Sequence, residues 1–197
     1  MTLFEQILAT FGASQVNIND LPEDDPTAKL GKECEALFTS GVETLRSIVP
    51  NERVRALGRM IWDLVGNKQV LTAIGPDVPS LGFAVMKAKE MHQAIILMPK
   101  TWPQMVVDDP FMQLGAILFV GAQAVDFYND RLLGDPNARR RWRAYEAELL
   151  RTLEGLLPSW QPNAYQREAI ERFPDGLDTK DVVLYPYKPY TSAQGTA

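Results

Sequence analysis

One histidine and one cysteine in 197 residues leave little with which to build a reactive centre. A His-dependent triad would have to use His92, and no Gly-x-Ser-x-Gly elbow accompanies it. His92 heads an apolar run two residues after Glu90, so it is expected at a surface or on an edge strand. Cys34 cannot form an intramolecular disulfide, and nothing signals an oxidising compartment. It lies among Lys32, Glu33 and Glu35 with no His/Asn set nearby, and is expected to be unreactive. A transition metal would depend on carboxylates and this one thiol, a poor ligand set, so neither metal nor cofactor is expected. A glycine-rich phosphate loop, a dinucleotide fingerprint, internal repeats and low-complexity tracts are all missing.

Excess positive charge is also missing. The formal charge is −5 and the isoelectric point about 5.0, which argues against bulk electrostatic binding to nucleic acid or anionic membrane. The longest apolar run, Gly115 to Ala122, falls well short of the ~20 residues that a spanning helix needs. Met1-Thr2-Leu3-Phe4-Glu5-Gln6 has no positive n-region of a signal peptide. The expectation is a soluble protein of the cytoplasm, or of an intracellular or particle assembly.

What is present is a mostly helical pattern. Leu3, Phe4, Ile7, Leu8 and Phe11 have the spacing of a short amphipathic helix stopped at Gly12. An acidic, proline-bearing loop from Asn17 to Asp25 follows. Leu30, Cys34, Leu37, Val42, Leu45 and Ile48 predict a helix over 27–49, with Gly41 an irregularity; a second carries Val54, Leu57, Ile61, Trp62 and Val65 and ends at Gly66-Asn67. The strand-length runs 81–86 and 93–98, joined by a short polar link, predict an antiparallel hairpin. Asp108-Asp109-Pro110 starts a helix over 110–133 that is apolar on most sides and therefore buried. Asp135 is an N-cap for a helix to 157 with Trp142, Tyr145, Leu149, Leu153 and Leu156 on its apolar stripe, and a short helix over 163–172 ends the helical part. The fold class expected is α+β, mostly helical, with a small antiparallel sheet or hairpin packed on a buried central helix. One globular domain spans 1–175 (helices to 66, hairpin 81–98, core helices 110–157), and 176–197 form an extended tail.

Several constellations invite chemistry. Asp126 and Asp130 stand one helical turn apart, spaced to hold a hard cation or act as an acid/base pair; the plainer expectation is exposure, or pairing with a basic neighbour. Arg139, Arg140, Arg141 and Arg143 form the one dense basic cluster, interleaved with Trp142. Near the start of a helix, cations oppose the dipole, so acidic partners are expected: Asp126, Asp130, Glu146 or acids of another protein. Tyr185, Tyr187 and Tyr190, spaced by Pro186 and Pro189, suit an extended segment whose rings fill pockets on its own domain or on a partner.

On the central helix, Val120-Gly121-Ala122-Gln123-Ala124-Val125-Asp126-Phe127-Tyr128 resembles the active-site helix of zincin metallopeptidases, His-Glu-x-x-His followed by an apolar residue and a polar-aromatic stretch. The order hairpin, central helix, later helix over roughly 68–157 is similar as well. The resemblance implies metal ligands at Val120 and Ala124, a general base at Gly121 and a third ligand at Glu146. Three of these four positions hold side chains that neither ligate nor accept a proton. The implied protein is a zincin-like scaffold without zincin chemistry; the plainer alternative is a generic Gly/Ala-rich core helix.

The function expected is therefore non-catalytic: a structural or protein-interaction subunit of a larger assembly, possessing a protein partner or self-associating, with no membrane and no nucleic acid. Its contacts are expected at Arg139, Arg140, Trp142 and Arg143 and in the tyrosine tail. Two alternatives stand beside it, a carboxylate- and metal-dependent hydrolase using Asp126, Asp130 or Glu146, and a small regulatory or nucleic-acid-binding protein using the Arg139–Arg143 helix.

Overall fold

The computed structural model describes residues 20–75, 84–88, 93–128 and 137–174. The expected first helix, His92, Asp130, Asp135 and the tail tyrosines lie outside them.

The first described helix, α1, spans Pro26–Ser47. Asp25 starts it, its carboxylate accepting from the amides of Thr27 at 2.7 Å and Ala28 at 3.2 Å, with proline in the first turn. Ala28, Cys34, Phe38, Val42 and Leu45 fall on one stripe and are buried. Gly41 does not interrupt the helix. It is the point where the side chain of Ile117 packs into the space a Cβ would occupy.

Helix α2 spans Glu52–Gly66. Asn51 caps it with its side-chain oxygen, and its amide nitrogen donates to Glu148 at 2.9 Å and Thr152 at 3.2 Å, binding the helix start to a distant helix. The far end closes as a Schellman turn: the Lys68 amide donates to the Val65 carbonyl and the Gln69 amide to that of Leu64. Lys68 takes the left-handed conformation such a turn requires, φ 57°.

Three strands follow: β1 Val70–Ile74, β2 Ala84–Ala88 and β3 Gln93–Met98, in the order β1-β3-β2. The hairpin β2–β3 is antiparallel, as its short link predicts, with Val85 opposite Ile96. The sheet is nonetheless mixed, because β1, which the hydrophobic pattern does not announce, pairs parallel to β3 with Val70 opposite Ala94. As the central strand, β3 is buried from Ala94 to Met98. This is why it reads as a continuous apolar run rather than an alternating one.

Helix α3, Trp102–Asp108, precedes the central helix α4, Pro110–Tyr128. Asp109 joins them, accepting from the amides of Phe111 and Met112 at 3.0 Å. Each side of α4 meets a neighbour. Gln113 donates to the Leu37 carbonyl on α1, the Ile61 side chain fills the space beside Gly121, and Phe119 meets Trp142 edge-on at 6.0 Å. The sheet packs on it as well. By length and composition, Phe111–Tyr128 is the one described helix suited to crossing a membrane. Half of it is buried by these neighbours, and the core helix of a water-soluble fold has the same composition.

Helix α5, Ala138–Leu156, packs along α4, and α6, Ala164–Arg172, folds back on α5. Asn163 and Gln166 start α6 with a capping box. The Gln166 side chain also donates to Asp109 at 2.9 Å, fastening α6 to the start of α4.

Candidate functional site

Val120 and Ala124 are buried, each about 1% exposed, and Gly121 faces Ile61 of α2. Glu146 approaches the same helix elsewhere: a Cβ on Gly115 would lie 3.6 Å from its Cγ. Gly115, Phe119 and Asp126 share the side of α4 that meets α5, whereas Val120 and Ala124 lie roughly a third to a half turn round the helix. The four positions that the peptidase resemblance draws together do not converge. Among the described residues, no three His, Cys, Asp or Glu side chains are grouped to hold a metal ion.

Asp126 is fully buried and paired; of the two expectations for it, exposure or pairing with a basic residue, the second is the one met. Its Oδ2 accepts from Arg141 Nη2 at 3.0 Å and from Trp142 Nε1 at 2.7 Å. A carboxylate in a core is tolerable only with a charge partner and directed donors, and both come from α5. Arg141 and Trp142 therefore point inward. Trp142 is corrected from a contact candidate to a core residue, because its ring packs on Phe119 and its one donor is spent inside the fold. The expectation that the basic cluster would find Asp126 and Glu146 holds through Arg141 and Arg143.

Glu146 is also buried, and burial pushes its carboxyl above the ordinary glutamate range, while the Arg143 guanidinium at 2.7 Å pulls it back. Arg143 is held three ways: it pairs with Glu146, lies over the Phe119 ring at 4.3 Å and donates to the Tyr165 hydroxyl. Burial raises the Cys34 thiol to about 11, with Glu33 adding to the effect, so it stays protonated at neutral pH.

The surface feature these contacts build is a cleft of about 340 Å³ between the start of α5 and the outer face of α6. Arg139, Arg140 and Arg143 line one side. Arg172, Tyr165 and Phe173 line the other, with Glu168 and Ala169 between them. Glu168 binds Arg172 at 2.6 Å, an exposed pair one helical turn apart. Arg139 and Arg140 are exposed, and neither has a carboxylate partner among the described residues. The sequence reading had half of this site. It missed Arg172 and Tyr165 because α6 is held against α5 by contacts between residues far apart in sequence, Arg143 with Tyr165 and Arg151 with the Ile170 carbonyl; the visible signal was the polar face of α6, where Tyr165, Glu168 and Arg172 recur at helical spacing.

No family model, characterised protein or solved structure matches this chain.

Proposed function

We propose that this protein is a non-catalytic interaction subunit, and that the arginine-lined cleft between α5 and α6 is its docking surface. One observation carries the reading: in a chain of net charge −5, Arg139 and Arg140 stand exposed beside Arg143 and Arg172 around one concavity, and neither pairs with an acid among the described residues. Two cations in the first turn of a helix oppose its dipole, a cost to the fold that an external anion would offset. The two buried carboxylates among the described residues serve the fold instead, Asp126 under Arg141 and Trp142, and Glu146 under Arg143. The reading needs no peptidase ancestry. It places the protein in an intracellular or particle assembly, with a partner or a second copy presenting acidic groups.

The test is affinity capture with the full chain and with the Arg139→Glu, Arg140→Glu double variant as baits, after both are shown to be folded by a cooperative melt. A stoichiometric partner, or a self-associated form, that is present with the wild type and absent with the variant supports the reading. Identical recoveries from both baits would sink it.

A further inference from the structure

Two guanidiniums that pair with no carboxylate among the described residues call for an anion, and the cleft they rim restricts which one. Arg143 is committed to Glu146 and Tyr165, and Arg172 to Glu168, so among the described residues the unneutralised charge sits on Arg139 and Arg140. Both stand in the first turn of α5 and line the same cleft. Each offers a planar fork of donors. A single carboxylate would neutralise one of them. A phosphate monoester carries about −1.5 to −2 charge and three acceptor oxygens on one atom, which matches two forks. The field of the α5 start has the same sign, as no acid occupies its first turn and the side chain of Asn137 does not cap it.

The other wall selects what carries the phosphate. The Tyr165 ring is about half exposed, and Ala169 and Phe173 continue an apolar surface beside it. A volume of about 340 Å³ is at the small end of ligand pockets, room for one ring and its charged group. We infer that the cleft binds a phosphate monoester on a flat apolar carrier, with the phosphate on Arg139 and Arg140 and the carrier against Tyr165 and Phe173. The inference rests on the docking reading and gives it a chemistry. Because the docking reading is of a protein partner, the carrier is a phosphorylated tyrosine side chain of that partner, and a mononucleotide is the outcome that would contradict it.

Isothermal titration of the full chain with phenyl phosphate tests it, with benzoate as the same ring bearing one charge and inorganic phosphate as the anion without a ring. Phenyl phosphate should bind at one site and more tightly than either. Arg139→Ala with Arg140→Ala should weaken it about tenfold or more, the loss expected for charged hydrogen bonds. Arg139→Lys with Arg140→Lys, which keeps the charge and loses the forks, should fall between. Tyr165→Ala should erase the preference for phenyl phosphate over inorganic phosphate. Phenyl phosphate binding no tighter than benzoate, or unchanged by the double alanine variant, overturns the inference. A hexaglutamate peptide separates the two levels. If it binds in an Arg139/Arg140-dependent way and phenyl phosphate does not, the phosphate assignment fails and the docking surface stands. If neither binds, both fail. Once phenyl phosphate binds, O-phosphotyrosine should bind more tightly than adenosine monophosphate; the reverse order contradicts the phosphotyrosine carrier.

Discussion

The indole N–H of Trp142 donates to Oδ2 of Asp126 across the α4–α5 interface at 2.7 Å, and Arg141 Nη2 reaches the same oxygen at 3.0 Å. Two consecutive α5 residues thus serve one fully buried carboxylate. Deleting the acid takes the Asp126 charge away from a guanidinium that is itself only about 6% exposed. Asp126→Ala should cost about 3–5 kcal/mol. Trp142→Phe, which keeps the ring against Phe119 and removes one donor, should cost about 1.5–3 kcal/mol. Urea unfolding monitored by circular dichroism measures both. A loss under about 1 kcal/mol for Asp126→Ala would mean that the pair is not part of the folded core.

Arg139 and Arg140 should behave in the opposite way. Because they face the positive end of α5 without acids nearby in the described structure, Arg139→Glu and Arg140→Glu should each raise stability by about 0.3–1 kcal/mol. The gain should shrink in high salt. Thermal melts at two ionic strengths would show it. A destabilised double variant would mean that these arginines hold the fold rather than wait for a ligand.

Backbone proximity makes a third case. A Cβ on Gly58 would lie 2.8 Å from the backbone nitrogen of Arg46, an atom that cannot swing aside. Gly58→Ala should separate α1 from α2 and cost about 1–3 kcal/mol, less up to about 1 kcal/mol of improved helix propensity. Lys68→Gly should do the reverse at the end of α2, relieving a left-handed lysine for a gain of about 0.5–1 kcal/mol. Denaturant midpoints rank the two variants, and a neutral Gly58→Ala contradicts the close approach.

Acid has two separable effects. Burial raises the Glu146 carboxyl above its ordinary value of 4.5, so the folded state favours its protonated form. Its contribution to stability is full below 4.5 and is lost as pH rises through the folded value. Glu43 and Glu52 are lowered, by Arg46 and by Arg59 with Arg55, so their contributions are present above 4.5 and lost as pH falls through their folded values. Glu146→Gln should remove the gain seen on acidifying toward 4.5 and leave the later loss in place. Melting temperatures of wild type and variant over that window decide it; parallel curves above 4.5 refute the assignment.

Cys34 should react slowly with iodoacetamide in the native protein and at the rate of a free thiol in denaturant. It is fully buried, and its thiol is pushed up to about 11. Rapid native alkylation would show that α1 opens at that point.

The sequence by itself determined where most helices lie, because helix starts and amphipathic stripes are local. Asp25, Asn51 and Asn163 cap with their own side chains, and the Val54, Leu57 and Ile61 stripe is a matter of 3.6-residue spacing, although Leu64 rather than Trp62 and Val65 completes its buried face. It determined the β2–β3 hairpin for the same reason, two apolar runs joined by a short link. Strand β1 was not legible: five residues carry no periodicity of their own, and their parallel partner lies 24 positions away at Val70↔Ala94. Nor was the direction of each arginine. Arg139 to Arg143 look alike as letters, yet only the packing of α4 turns Arg141 and Trp142 toward Asp126 and leaves Arg139 and Arg140 to the cleft that α6 completes. Local propensity sets the elements; the burial of charge, which depends on what lies opposite, was decided by the tertiary structure alone.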